Sequence, residues 1–177
     1  QTRLGLTNFA LDVGITYIDP ALIAGLSSTE IYVETLSLLV PEGSEWASLG
    51  TITWEEAAQL PLCLLGEHMH ERRTIDEAFT EVGCKPPVVV TTADSILNLI
   101  FHVMFAGLVT VVPSHFARLP GQLPGTKAIK LIKPEISRNV GLVWSSSEPI
   151  MPMAKHMVSI VKELRANGEL ERQLGDP

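Results

Sequence analysis

The sequence predicts an α/β fold in which two lobes are joined by two crossing hinge strands. Between residues 62 and 112, short apolar runs alternate with segments of helical period, an order typical of a parallel sheet with right-handed crossovers. Residues 42–133 make one complete α/β unit, which separates the strand-like run 11–17 from the run 139–144. If those two outer runs pack together, the chain leaves one lobe, builds a second and returns.

This topology requires the chain to cross between the lobes twice. The outward crossing is predicted at residues 33–40 and the return crossing at residues 136–144. Two lobes joined by a double-stranded hinge enclose a cleft, which is a natural place for a small ligand.

Composition restricts the class of protein. The chain has 177 residues, 46% of them hydrophobic and 19% charged, and a net charge of −7, so we expect a packed core rather than disorder. No cluster of lysine and arginine stands out, which argues against nucleic-acid binding by this segment. Cys63 and Cys84 lack the spacing of metal ligands, and reduced thiols in a cytoplasmic protein are expected rather than a disulfide.

Neither a secretion signal nor a membrane span is predicted. Residues 1–20 lack the basic start and apolar core of a signal peptide. Residues 96–113 have a length close to that of a short span, but two polar residues and a glycine inside the run favour a helix followed by a strand. Residues 1–9 look like the end of a helix without an initiator methionine, so we expect that the chain is a fragment.

The first part of the chain is predicted to contain two strands and one capped helix. Residues 11–17 and 30–40 form the strands, and the second strand ends at Pro41. The sequence T-W-E-E at residues 53–56 is a capping box, which opens a short helix that runs to Gln59.

The alternating segment follows in the order strand, helix, strand, helix, strand. The predicted elements are strands at residues 62–65, 87–92 and 108–112 and helices at residues 71–82 and 96–105. The strand 87–92 is predicted to be buried because it is almost continuously apolar. The second helix is apolar on nearly every side, so we expect a sheet below it and a second subunit above it. Asp94 or Ser95 caps its start, and Gly107 ends it.

The C-terminal part adds two strands and a last helix. A helical turn at residues 114–119 and a loop at residues 119–126 lead to strands at residues 128–132 and 139–144. The last helix begins near residues 149–152, and residues 169–177 are expected to form a frayed tail. Its apolar stripe consists of Met153, Met157, Ile160, Val161 and Leu164.

Several short motifs stand in a fixed order along nearly the whole chain. They are LDVGI at residues 11–15, ETLSLLVP at 34–41, EEAAQLP at 55–61, EVG at 81–83, AGLVTVVP at 106–113 and VGLVW at 140–144. Each motif alone is weak, but the ordered set resembles the effector-binding domain of LysR-type transcriptional regulators. One departure is Val109, where a glycine is common in that family.

The resemblance implies a type 2 periplasmic-binding-protein-like fold with a small effector between the lobes. Lobe I would comprise residues 1–35 and 138–177 and be incomplete at its start, and lobe II would comprise residues 36–137. A helix-turn-helix DNA-binding domain would lie upstream, absent from this chain, so DNA would be contacted only through that domain. Because regulatory domains of the family pair, a homodimer or homotetramer is expected, without a cofactor or a membrane.

The candidate effector ligands come from three places in the sequence. Thr16 and Tyr17 end a strand, where hydroxyl groups can hold a polar ligand, although strand-end packing is an equal alternative. The loop 66–71 leads into a helix whose free N–H groups suit an anion, and the resemblance also implies effector contacts there. Asp94 and Ser95 start the long helix, where a plain cap is the commoner role. The candidates are Thr16, Tyr17, Glu67, His68, Met69, His70, Glu71, Asp94 and Ser95.

Two pairs of residues in or next to this loop are weaker candidates, one for metal binding and one for effector binding. His68 and His70 are two residues apart without a third identified ligand, so no metal is predicted. Arg72 and Arg73 could pair with an acidic effector, although surface salt bridges are commoner.

The predicted interface with a second subunit lies on the long helix. Asn98 and His102 stand four residues apart and form either a polar pair in the interface or a satisfied stripe in the core. The candidate interface residues are Ile96, Asn98, Leu99, His102 and Val103.

The predicted function is that of a sensor rather than an enzyme. The sequence contains no G-x-S-x-G motif and no phosphate-cradling glycine loop, and Cys63 lies in the middle of a strand. The resemblance implies the effector-sensing domain of a bacterial LysR-type regulator, and we expect it to act in the cytoplasm on a small anionic metabolite. The alternatives are a periplasmic-type solute-binding protein of a transporter, which the missing secretion signal disfavours, and a small α/β enzyme.

Overall fold

The computed structural model describes residues 2–83, 87–118 and 123–174. The chain divides into two compact units. The first unit comprises Gln1–Glu34 and Ser137–Pro177, and the second unit comprises Thr35–Ile136. These limits differ by one residue at each boundary from the lobes that the resemblance implies.

Helices and strands occur in both units. In chain order, the described elements are α1 (Thr2–Thr7), β1 (Gly14–Tyr17), β2 (Leu26–Pro41), β3 (Thr51–Thr53), α2 (Trp54–Ala57), β4 (Leu62–Leu65), α3 (His70–Glu81), β5 (Val89–Ala93), α4 (Ile96–Ala106), β6 (Thr110–Pro113), β7 (Thr126–Ile132), β8 (Ser137–Ser145), α5 (Pro152–Ala166) and α6 (Glu169–Leu174). Short 3₁₀ helices lie at Glu45–Ser48 and Ser114–Arg118, the second of them at the predicted helical turn.

The first unit is built on a sheet with the strand order β1–β8–β2. β1 runs antiparallel to β8, with Gly14 opposite Val143. Helices α5 and α6 cover this sheet, because Leu142 of β8 packs in one cluster with Val161 and Leu170. β2 is 16 residues long and continues from the first unit into the second.

In the second unit, the last part of β2 lies between β6 and β7 and runs antiparallel to both. β3 pairs with β7 in parallel, and β4 pairs with β5 in parallel. Leu62 of β4 also forms a parallel bridge with Val109, directly before β6. The predicted parallel order of the alternating segment is therefore confirmed, whereas β2 runs against its neighbours.

Strand β4 is buried on both faces. Leu62 and Leu64 pack in one apolar cluster with α3, and Cys63 and Leu65 pack in another cluster with α4. Because alternate residues of a strand point to opposite faces, α3 and α4 cover opposite faces of the sheet.

The strand predicted at residues 87–92 is β5, and the expectation that it is buried is wrong. β5 pairs with β4 in a two-stranded ladder, and Val90 is 57% exposed. Val88, directly before the strand, is 84% exposed. A run of valines indicates a strand but does not show whether the strand has one neighbour or two.

The two chain ends also differ from expectation. The first strand is shorter than residues 11–17, because Leu11, Asp12 and Val13 lie outside β1. Residues 169–174, expected to fray, form α6, and Leu170 is buried in the first unit. Met153 of the predicted apolar stripe of α5 is 51% exposed, whereas Val161 is buried.

The predicted helix starts at Thr53 and before α4 and the predicted end at Gly107 are confirmed, whereas α2 ends at Ala57 instead of Gln59. The Thr53 hydroxyl accepts the Glu56 N–H at 3.2 Å, and the Glu56 carboxylate accepts the Thr53 N–H at 2.8 Å. Of the two candidate caps of α4, the structure uses Ser95, whose hydroxyl accepts the Leu97 N–H at 3.2 Å. Gly107 ends α4 in the left-handed conformation with φ of 70°.

Replacing the cap of α4 is expected to destabilise the protein, whereas replacing its neighbour is not. Ser95→Ala removes an acceptor for a free helix N–H and should lower the free energy of unfolding by about 1 kcal/mol. Asp94→Ala is the matched control, because the Asp94 side chain is 85% exposed and does not cap the helix. Urea denaturation measures both, and equal losses for the two variants would contradict this assignment.

Candidate functional site

The candidate site in the second unit lies at the carboxyl ends of β4 and β5. Leu65 and Ala93, the last residues of these parallel strands, are register partners. The Gly66 N–H donates to the Ala93 carbonyl at 3.1 Å, so the loop after β4 begins beside the start of α4. We call this set the β4–β5 site: Glu67, His68, Met69, His70, Glu71, Asp94 and Ser95.

A glycine makes room for two polar side chains at the β4–β5 site. His68 Nε2 lies 4.0 Å from Asp94 Oδ1, and the two side chains are 74% and 85% exposed. A Cβ atom at Gly66 would lie 2.8 Å from His68 Cε1 and 3.2 Å from Asp94 Oδ1. The present arrangement of His68 and Asp94 therefore depends on the missing side chain at position 66.

The start of α3 contributes backbone groups to the site. Its N-cap residue is Met69, which has no side-chain cap bond, and the Met69 side chain packs against the cluster beneath α4. Helix N-termini carry unsatisfied N–H groups and partial positive charge, which favour an anion. Glu67 and His70 are exposed beside them, whereas Glu71 is half-buried. The site thus offers N–H donors, imidazoles and carboxylates within one short segment.

Thr16 and Tyr17 belong to the first unit, at the end of β1. The Tyr17 hydroxyl donates to Glu34 Oε1 at 2.6 Å, and the Tyr32 hydroxyl donates to Glu34 Oε2 at 3.3 Å. Glu34 is only 7% exposed. Burial and the neighbouring Glu34 carboxylate raise the pKa of Tyr32 to about 12. The Tyr17 hydroxyl is thus already hydrogen-bonded to the buried carboxylate of Glu34.

The residue after Glu34 begins a second polar cluster, this time in the second unit. The Thr35 hydroxyl donates to Ser114 Oγ at 2.9 Å, and Ser37 Oγ lies 2.7 Å from the same atom. Glu34, Thr35 and Ser37 are not among the candidate site residues that the sequence predicts. The sequence does set these three residues apart, because they are the polar residues at the start of the apolar run E-T-L-S-L-L-V.

The predicted interface residues of α4 do not share one face. Leu99 and Val103 are 1% and 0% exposed, so they face the sheet and have no surface left for a partner, which corrects the expectation for these two residues. Ile96 and His102 are half-buried, and Asn98 is exposed. The helix is apolar nearly all round, so its sequence does not show which stripe faces the sheet.

A different stripe of α4 is apolar and exposed. Leu97, Phe101 and Phe105 recur every four residues and are 57%, 46% and 79% exposed. The rings of Phe101 and Phe105 lie 6.1 Å apart. We call these three residues the outer stripe of α4.

Cys63 and the histidines do not form a metal centre in the part of the chain that the structure describes. No group of three or more potential ligands is placed to hold a metal ion among those residues. Cys63 is buried, and burial raises the pKa of its thiol to about 11. Cys84 lies outside the described residues. No described helix is long and apolar enough to cross a membrane.

Comparison with known proteins classifies the chain. Residues 2–166 match the model of the LysR substrate binding domain. The chain belongs to the LysR substrate-binding domain family. A search of curated proteins gave no match. The expected family is therefore confirmed, and with it the α/β fold of the periplasmic-binding-protein-like type.

Solved structures of LysR-family regulators share this fold. An OxyR C206 mutant from Corynebacterium glutamicum is 19% identical with a TM-score of 0.76, over 94% of this chain and 52% of that chain. The effector-binding domain of QuiR in complex with shikimate is 16% identical with a TM-score of 0.75, over 93% and 76%. Full-length CbnR in complex with its target DNA is 16% identical with a TM-score of 0.77, over 92% and 56%.

These similarities define what kind of domain this is. The chain spans about half the length of the first regulators that it matches. It is an effector-binding domain of the LysR family of transcriptional regulators. The proteins that it resembles are transcriptional regulators rather than enzymes.

The buried thiol of Cys63 is expected to react slowly in the LysR-family domain. In a Cys84→Ser variant, Cys63 is the single cysteine. A pKa raised from 9.0 to about 11 lowers the thiolate fraction about 100-fold at a given pH. Labelling with a disulfide reagent at pH 8 should therefore be at least about 100-fold slower in the native protein than in guanidinium chloride. Equal rates would show that Cys63 is an accessible thiol.

Proposed function

We propose that this domain senses a small anionic metabolite for a bacterial LysR-type transcriptional regulator, with the β4–β5 site as a contact region. The observation that carries the proposal is the meeting of the loop after β4 with Asp94 at the carboxyl ends of two parallel strands. Ligands of α/β proteins gather at this end of the strands. In the first unit, Thr16 and Tyr17 remain candidate contacts, although the Tyr17 hydroxyl already donates to Glu34.

The chemistry of the site suits a metabolite that carries both an anionic group and polar hydrogens. The uncapped N-terminus of α3 suits a carboxylate or a similar anion. The exposed carboxylates of Glu67 and Asp94 accept hydrogen bonds and repel a second anionic group. Shikimate, present in the QuiR complex, combines one carboxylate with several hydroxyl groups and is therefore a sensible first compound.

Regulation requires that the effector favours one conformation over another. A ligand shifts an equilibrium only by the difference between its affinities for the two states.

We infer that the natural protein contacts DNA through a separate domain, as full-length CbnR is described in complex with its target DNA. The protein would then act in the bacterial cytoplasm, and no cofactor is needed. A transport solute-binding protein is disfavoured because the family match is to regulators.

A thermal-shift screen with a matched glycine pair tests the β4–β5 site. The panel contains shikimate, aromatic acids, amino-acid derivatives and small carboxylates, applied to the natural full-length protein. Gly66→Ala places a Cβ atom against His68 and Asp94 and should reduce any ligand-induced shift of the melting temperature. Gly43→Ala is the control, because a Cβ atom there meets nothing within 4 Å. No shift with any compound, or equal shifts in the two variants, would overturn the proposed site.

We further propose that the domain forms a homodimer or homotetramer through the outer stripe of α4. Exposed aromatic side chains at a regular spacing are typical of contact surfaces rather than of solvated helix faces. Asn98 and His102 would lie at the rim of this stripe. The proposed interface thus lies on α4, as the sequence predicts. Its apolar residues are Leu97, Phe101 and Phe105 in place of Leu99 and Val103.

A charge placed on the outer stripe is expected to weaken self-association. Phe105→Glu puts a carboxylate at the most exposed position of the stripe and should lower the average mass in sedimentation velocity. Ile150→Glu is the control, because Ile150 is an apolar residue of the first unit with 46% exposure. If Phe105→Glu and the wild type sediment alike, α4 does not form the interface.

A further inference from the structure

Arg72 is a buried cation directly behind the β4–β5 site. It is the third residue of α3, and its side chain is only 9% exposed, whereas the next residue, Arg73, is exposed. A guanidinium group is among the side chains least often buried, because removing its charge from water is costly. Its position therefore calls for a physical reason.

The guanidinium joins α3 to the end of β4. Arg72 Nη1 donates to the Leu65 carbonyl at 2.9 Å, and Nε donates to Asp76 Oδ1 at 2.8 Å, one helical turn further on. The planar guanidinium holds these donors in a fixed geometry. Arg72 thus sets the distance and direction between the first turn of α3 and the last residue of β4.

The contact acts on one peptide group at the entry to the loop. The carbonyl of the Leu65–Gly66 peptide accepts from Arg72, and the N–H of the same peptide donates to Ala93 at 3.1 Å. Both polar ends of this peptide are therefore held, which prevents it from rotating. Gly66 follows directly, and its missing side chain is what leaves room for His68 and Asp94.

We propose that Arg72 is a positioning residue for the β4–β5 site, an inference that rests on the proposed function of that site. It fixes the orientation of the Leu65–Gly66 peptide. The direction of the chain from this peptide toward His68 is thereby fixed as well. Stability alone is a weak reason for the residue, since a buried ion pair adds little over an apolar side chain of similar size. Lysine replaces it only in part, because one ammonium group lacks the separate, rigidly oriented donors that reach Leu65 and Asp76.

Hydrogen exchange in the natural full-length protein without ligand tests this role. Arg72→Met should increase exchange in residues 66–69 about tenfold, because the Gly66 and Met69 amides donate to the Ala93 and Gly66 carbonyls. The Val109 amide, which donates to Pro61 at the other end of β4, serves as the internal reference and should not change. Arg73→Met is the matched control on the same helix and should leave both segments unchanged.

Two more variants separate positioning from general stability. Arg72→Lys should rescue part of the protection, and Asp76→Asn, which keeps the Arg72 charge, should cause a smaller increase in the same segment. The His68 ring signals in NMR should shift in Arg72→Met but not in Arg73→Met, with His102 as the reference. Uniform loss of protection, or no local change, would overturn the proposal. Because these readouts need no effector, they test how Arg72 holds the loop, whereas a negative ligand screen would refute the proposed function of the site and leave only that local role.

Discussion

The burial of β4 on both faces is the constraint on which the second unit depends. Its four residues are 0–3% exposed, and it pairs with β5 on one side and with Val109 on the other. Parallel pairing with β5 brings the carboxyl ends of the two strands together. The loop after β4 and the start of α4 therefore meet, although 26 residues separate Gly66 from Ala93 along the chain.

The same constraint determines the orientation of α4. Because Cys63 and Leu65 need an apolar cover, the helix turns Leu99 and Val103 toward the sheet. Leu97 and the two phenylalanines of the outer stripe are then left on the surface. A helix that is apolar nearly all round can pack one face against the sheet and another face against a second subunit. This is the physical basis for the proposed interface.

In the first unit, the buried carboxylate of Glu34 accepts a hydrogen bond from the hydroxyl of Tyr17, which is a candidate effector ligand. Burying a charge is unfavourable unless hydrogen bonds replace its water, and Tyr17 and Tyr32 supply such bonds to Glu34. The next residue of β2, Thr35, is bonded to Ser114 within the second unit. Adjacent residues of one strand are thus anchored in different units, and the boundary falls between them.

The sequence by itself determined the local features and the family. Ser95 was one of two predicted caps, the Thr53–Glu56 capping box and the Gly107 helix end were predicted outright, and the ordered motifs identified the family. These features depend on a few neighbouring residues and their backbone preferences. Only the tertiary structure decided that β5 has a solvent-exposed side, that α4 buries Leu99, and that Arg72 is buried. Those outcomes depend on which strands and helices meet across long stretches of chain, which periodicity within one element does not encode.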